Sequence, residues 1–146
     1  MRERSEKRRK RENAARPARQ ALIALVGECE MCGARPVQGS TWAGRRLCVH
    51  EIVGGPHRQA LLDRRHSTLV LCWLCNGGPA EDKSLWPEAR QLALLKRSRP
   101  EDYDLAAHNA CINPRAPRRV TEEEVRIYLE QFDGDSGARR DRGGGV

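Results

Sequence analysis

The chain has 146 residues, a net charge of +7 and 32% charged side chains against 38% hydrophobic ones. It is at most one domain with tails, and its core is thin. Leu, Ile, Val and Phe together number 27, about 18%, which is below the roughly 20% at which a charged chain is suspected of disorder. No apolar run is long enough for a membrane span and none has the form of a signal peptide, so the expected location is cytoplasmic and the expected state of the thiols reduced.

The basic charge is gathered at the start. Residues 1–20 hold nine Lys/Arg against three Glu, a net +6, and the other 126 residues carry +1. Any charge-driven contact with nucleic acid therefore belongs mainly to residues 1–19, expected as a basic disordered arm or a fraying helix broken at Pro17. A short apolar helix over 20–27, with Leu22, Leu25 and Val26 at helical spacing, ends at Gly27.

Next comes CEMC, which sets Cys29 and Cys32 two residues apart, and much later CWLC, which does the same with Cys72 and Cys75. A Cys-x-x-Cys loop offers two thiolates to one tetrahedral metal. Two such loops in a reducing compartment form a closed, four-thiolate structural zinc set. A metal staple also suits a core too thin to hold by burial alone. The gap of 39 residues between Cys32 and Cys72 exceeds the roughly 15–20 of a simple ribbon, so a functional insert is expected between the knuckles. Cys48 and Cys111 are expected as small buried side chains, with replacement of a zinc ligand as the alternative.

Within the insert, a loop over 34–45 leads to a strand over 46–53 (RLCVHEIV). There Leu47, Val49 and Glu51 share one face and Cys48, His50 and Ile52 the other. Gly54-Gly55-Pro56 breaks it, a connector over 57–65 follows, and a second strand over 68–71 runs into the second knuckle. After a loop over 77–84, a helix over 86–98 carries an apolar stripe of Leu85, Ala89, Leu92 and Leu95. A further short helix is expected within 100–111. The linker 113–119 precedes the best-signalled helix, 121–132. Thr121 and Glu124 form its capping box, Val120 and Val125 its staple, and Val125, Tyr128, Leu129 and Phe132 its apolar face. Residues 133–146, rich in Gly, Arg and Asp, are expected to be disordered. The domain division is thus 1–19, 20–112, 113–132 and 133–146.

A Cys-x-x-Cys, a strand ending V-H-x-I, a Gly-Gly break, an L-V-L-C strand and a second Cys-x-x-Cys resemble the HNH endonucleases with a zinc-knuckle frame, over about 50 residues. The run WPEARQLALLK resembles an extension of phage-type members. The resemblance implies an α+β fold, a small zinc-stabilised ββα-metal, treble-clef-like core with added helices, and an enzyme that hydrolyses DNA with a catalytic Mg²⁺ or Mn²⁺ apart from the structural zinc. It also implies a phage or prophage setting. Matching V-H-E-I to the family's V-H-H-I puts His50 at the cation-ligand position and Glu51 at the base position. With His50 as base instead, Val49 would fall at the ligand position. The family's middle asparagine falls on Ser67, beside His66, and its last histidine on Asn76, whose carbonyl suits a hard cation. His57 and His108 are read as surface or packing residues. The absence of the second histidine and of the asparagine keeps open a non-catalytic zinc-stabilised nucleic-acid-binding module, and the capped helix keeps open a protein adaptor. DNA is the expected partner, and neither the oligomeric state nor the DNA sequence preference is legible.

Overall fold

A computed structural model describes residues 2–36, 46–52, 64–76, 86–112 and 119–144. The expectations for the loop at 37–45, the Gly-Gly-Pro break, the connector with His57, the segment 77–85 with Leu85, and most of the linker fall outside the described residues. The elements run α1 (Arg2–Val26), β1 (Leu47–Glu51), a single 3-10 turn (Arg65–Ser67), β2 (Thr68–Cys72), α2 (Glu88–Ser98), α3 (Leu105–Ala110) and α4 (Glu122–Gly144). Among the described residues the fold is a small α+β arrangement, with helices around one two-stranded antiparallel sheet. Among the described residues, no helix is long and apolar enough to cross a membrane.

The sheet comes from two short apolar runs, each ended by a turn. Leu47 pairs with Cys72, His50 with Leu69 and Glu51 with Thr68. All five residues of β2 are buried. Because side chains alternate along a strand, both of its faces are covered.

The outer edge of β2, the side not paired with β1, is closed by the first knuckle. The Val70 carbonyl accepts from the Glu30 N–H at 2.8 Å, and the Val70 N–H donates to the Glu30 carboxylate at 2.7 Å. An edge that would otherwise template another strand is thus paired by one acidic residue.

Glycine has a specific task at two points. Gly27 (φ 73°) ends α1, its N–H closing on the Ile23 carbonyl at 2.8 Å, the usual left-handed stop of a helix. Gly33 (φ 77°) folds the first knuckle back, its N–H reaching the Cys29 carbonyl at 2.8 Å. A side chain is strained at such angles.

The core is built from Leu69, Val70 and Leu71 of β2, Leu92, Leu94 and Leu95 of α2, and Val125 and Phe132 of α4, with Leu22 of α1 added. α4 packs along α2, and the Trp86 and Phe132 rings meet at 5.9 Å. Arg90 lies 3.6 Å above the Trp86 ring. Thr121 caps α4 by accepting from the Glu124 N–H at 3.3 Å. The Glu124 carboxylate answers the Thr121 hydroxyl at 3.2 Å. Val120 and Val125 are both buried, as the staple requires. Asp104 caps α3 by accepting from the Ala107 N–H at 3.0 Å.

Helix reaches toward both chain ends. Residues 2–19, expected as a disordered arm or a helix broken at Pro17, lie in a continuous α1 that contains Pro17. Arg, Lys, Glu and Ala favour helix, and extending an anchored helix costs far less than starting one. Near the proline, Arg16 donates to the Asn13 side chain at 3.0 Å and Arg19 to the Glu12 carbonyl at 3.4 Å, beside the position where Pro17 removes a backbone donor. Residues 133–144 continue α4, propagated from a capped and buried start, whereas their composition alone argues for disorder.

Candidate metal centre and histidine face

The two knuckles meet at the end of β2. Its last residue supplies Cys72. The chain then turns at once, the Cys75 and Asn76 N–H groups donating to the Cys72 carbonyl at 3.1 and 3.0 Å. Across from it, the tight turn after α1 presents Cys29 and Cys32. The four sulfurs lie within 4.8 Å of one another. With Zn–S near 2.3 Å, a tetrahedron has S···S edges of about 3.8 Å, and Cys32 and Cys72 stand 3.7 Å apart. Donor type, number and spacing therefore suit one tetrahedral thiolate-bound ion such as zinc. Three of the cysteines are buried and Cys32 is exposed. Neither Cys48 nor Cys111 belongs to the cluster.

The packing of the sulfurs shifts the ionisation of three of the thiols in different directions. Burial, with the neighbouring Cys29, pushes Cys32 up to about 11, against a hydrogen bond from the Ala34 backbone. Burial and the other cysteines raise Cys75 further. In Cys72 burial also raises the value, but hydrogen bonds from the Cys75 backbone and from the other thiols outweigh it and the group falls below its ordinary range. Metal binding must therefore displace protons.

Sequence reasoning missed Glu30, the first residue between the cysteines of CEMC. Its carboxylate is buried and accepts from Arg99 Nε at 2.6 Å and from the Ser98 hydroxyl at 2.8 Å. Arg99 also donates to the Thr68 carbonyl at 2.6 Å and to Asp102 at 2.7 Å. This pair fastens the first knuckle to β2 and to the end of α2. Its only signal in the sequence was a charge at each end, 69 positions apart.

β1 divides the expected site residues. Cys48 and His50 share a face, two residues and roughly 6.8 Å apart. The Cys48 thiol donates to the Leu71 carbonyl at 3.3 Å and accepts from the Asn76 side-chain amide at 3.1 Å. Burial raises its pKa, and Asn76 partly offsets this. His50 Nε2 lies 2.8 Å from Gln91 Oε1, on α2. His50 and Asn76 are thus brought to one face, with Cys48 between them. Strand alternation sends Glu51 to the other face with Leu47 and Val49.

Ser67 is placed elsewhere. It is fully buried, with its hydroxyl 2.6 Å from His108 Nδ1 and 2.8 Å from His66 Nδ1. His108 Nε2 stands 2.5 Å from the Glu88 carboxylate. A carboxylate only accepts, so Nε2–H donates to Glu88. The remaining nitrogen of a neutral His108 then accepts from Ser67, whose oxygen accepts from His66. The chain has the composition of a hydroxyl–imidazole–carboxylate relay. With Ser67 and His108 both sealed from solvent, it joins the turn before β2 to α3 and α2. Burial and the nearby His108 lower the pKa of His66, against the pull of Asp104. No family model, curated protein or solved structure matches this chain.

Proposed function

We propose that the chain is a metal-dependent endonuclease of the HNH type that hydrolyses DNA phosphodiester bonds. The supporting observation is that Asn76 donates to Cys48, which shares a strand face with His50 two residues on, where β1 passes the second knuckle. There the sequence resemblance requires an imidazole and a cation-binding side chain. The zinc centre takes no part in chemistry in this reading, because four thiolates leave it no open position. It holds the hairpin still.

His50 accepts the proton of the attacking water as the oxygen closes on phosphorus. Asn76 already gives its amide nitrogen to Cys48, so its carbonyl oxygen is the end that would hold Mg²⁺ or Mn²⁺, along with water and phosphate oxygens. Such a cation supplies charge stabilisation at the phosphate and leaving oxygen. Glu51 has no part as base, since it faces away from His50. Ser67 acts on the frame through His108. The basic half of α1, with nine Lys/Arg between residues 2 and 19, supplies phosphate contacts.

The second reading is a non-catalytic zinc-stabilised nucleic-acid-binding module. It is favoured by the positions of Glu51 and Ser67, two expected catalytic residues that lie off the His50 face. Nicking of supercoiled plasmid separates the two. Zinc-loaded wild type is expected to nick with added Mg²⁺ or Mn²⁺ and not when neither ion is added. His50→Ala, matched for zinc, is expected to lose on the order of 10²–10⁴-fold, the usual contribution of a general base. A protein that holds zinc and binds DNA but nicks in no metal would establish the module instead.

A further inference from the structure

Gln91 is a buried amide in the middle of an apolar helical run, between Arg90 and Leu92-Ala93-Leu94-Leu95. A buried polar side chain on a core face requires partners, and Gln91 has two. Its Nε2 donates to the Trp86 carbonyl at 2.9 Å, and its Oε1 lies 2.8 Å from His50 Nε2. A backbone carbonyl can only accept, so the Trp86 contact settles which end of the amide is nitrogen. The end facing His50 is then oxygen, also an acceptor. The contact is a hydrogen bond only if His50 Nε2 carries a proton. This excludes the neutral tautomer with its proton on Nδ1.

We propose that Gln91 is a positioning residue for His50, holding the neutral imidazole as the Nε2–H tautomer so that the basic lone pair sits on Nδ1. This deepens, and rests on, the nuclease reading. It names the nitrogen that accepts the proton of water, and it assigns the orientation of the ring to a helix outside the Cys29–Cys75 segment. The carbonyl that orients Gln91 lies two residues before α2, so the entry to α2 also sets the chemistry at β1. Cys48, two residues along the same face of β1, is held by the Leu71 carbonyl and the Asn76 amide rather than by the imidazole.

The test uses the full zinc-loaded chain. Long-range ¹H–¹⁵N correlation of the imidazoles, with His50 assigned by comparison with His50→Ala, reads the tautomer directly. Wild type is expected to show His50 with Nε2–H. Gln91→Glu keeps the shape and puts a carboxylate beside Nε2. It is expected to raise the proton affinity of His50 by about tenfold or more and to move the acid limb of any nicking profile to higher pH. Gln91→Met, close in volume, is expected to release the tautomer into a mixture.

A wild-type His50 with its proton on Nδ1 would overturn the proposal even if neither variant folds. So would a His50 titration unchanged in Gln91→Glu. The spectra do not depend on cleavage. The stated tautomer in a protein that nicks nothing would uphold the role of Gln91 and sink the nuclease reading, whereas nicking with the other tautomer would do the reverse.

Discussion

Cys72→Ser is expected to unfold the domain, not merely to loosen it. Cys72 is both the last residue of β2 and one of four sulfurs within 4.8 Å, so the change strikes the sheet and the metal centre together. Zinc binding to a Cys-rich site contributes apparent free energies of about 10–16 kcal/mol, and a domain of this size has a net stability of about 5–15 kcal/mol. With so few large aliphatic side chains to bury, the rest of the core is too small to replace a loss of that order. The expected result is no cooperative thermal transition and less than one zinc per chain. The same outcome is expected when a strong chelator strips wild type. Cys48→Ser, outside the cluster, is the control and is expected to keep full zinc. A Cys72→Ser protein with wild-type melting and full zinc would remove the metal staple from the account of the fold.

Arg99→Ala is expected to be the most damaging change outside the cysteines. Arg99 and Glu30 are both nearly inaccessible, with side chains 5% and 2% exposed. Removing the guanidinium strands a carboxylate in the core and frees the Thr68 carbonyl. Breaking one side of such a pair costs about 3–5 kcal/mol. Urea unfolding of the zinc-loaded protein measures it. The double change Glu30→Gln, Arg99→Met is expected to cost clearly less than Arg99→Ala alone, because the more deeply buried carboxylate is neutralised along with its partner, leaving only the more exposed Asp102 without Arg99. A loss below about 0.5 kcal/mol in Arg99→Ala, the range of ordinary surface substitutions, would mean that the pair does not brace the knuckle.

The two predictions differ in how far the sequence announces them. The cysteine pairs follow from spacing, because one loop of four residues can present only two thiolates and a tetrahedral ion needs two such loops. The strands and α4 were legible for similar local reasons. A period of two around Leu47–Glu51 and a Thr-x-x-Glu start at Thr121 each specify an element within a few residues.

Glu30, Gln91 and Ser67 gave no such signal. Each is a polar residue with at least one partner 40 or more positions away: Glu30 with Val70 and Arg99, Gln91 with His50, Ser67 with His108. Local pattern cannot reveal which buried acid meets which buried base. The period of two did place His50 and Glu51 on opposite faces of the strand. Assigning both to one site rested on the motif match and not on that pattern. The chain ends were less legible for the converse reason. Composition describes a segment alone, while α1 and α4 are each anchored at one end by buried residues such as Leu22 and Val125.

The fold, the placing of His50 and the proposed chemistry all rest on one ion bridging the two knuckles. Zinc K-edge X-ray absorption of the purified full chain tests this directly. One zinc per chain with a shell of four sulfurs at about 2.3 Å is expected. Substoichiometric zinc, or a shell containing nitrogen or oxygen, would contradict the Cys29–Cys32–Cys72–Cys75 centre.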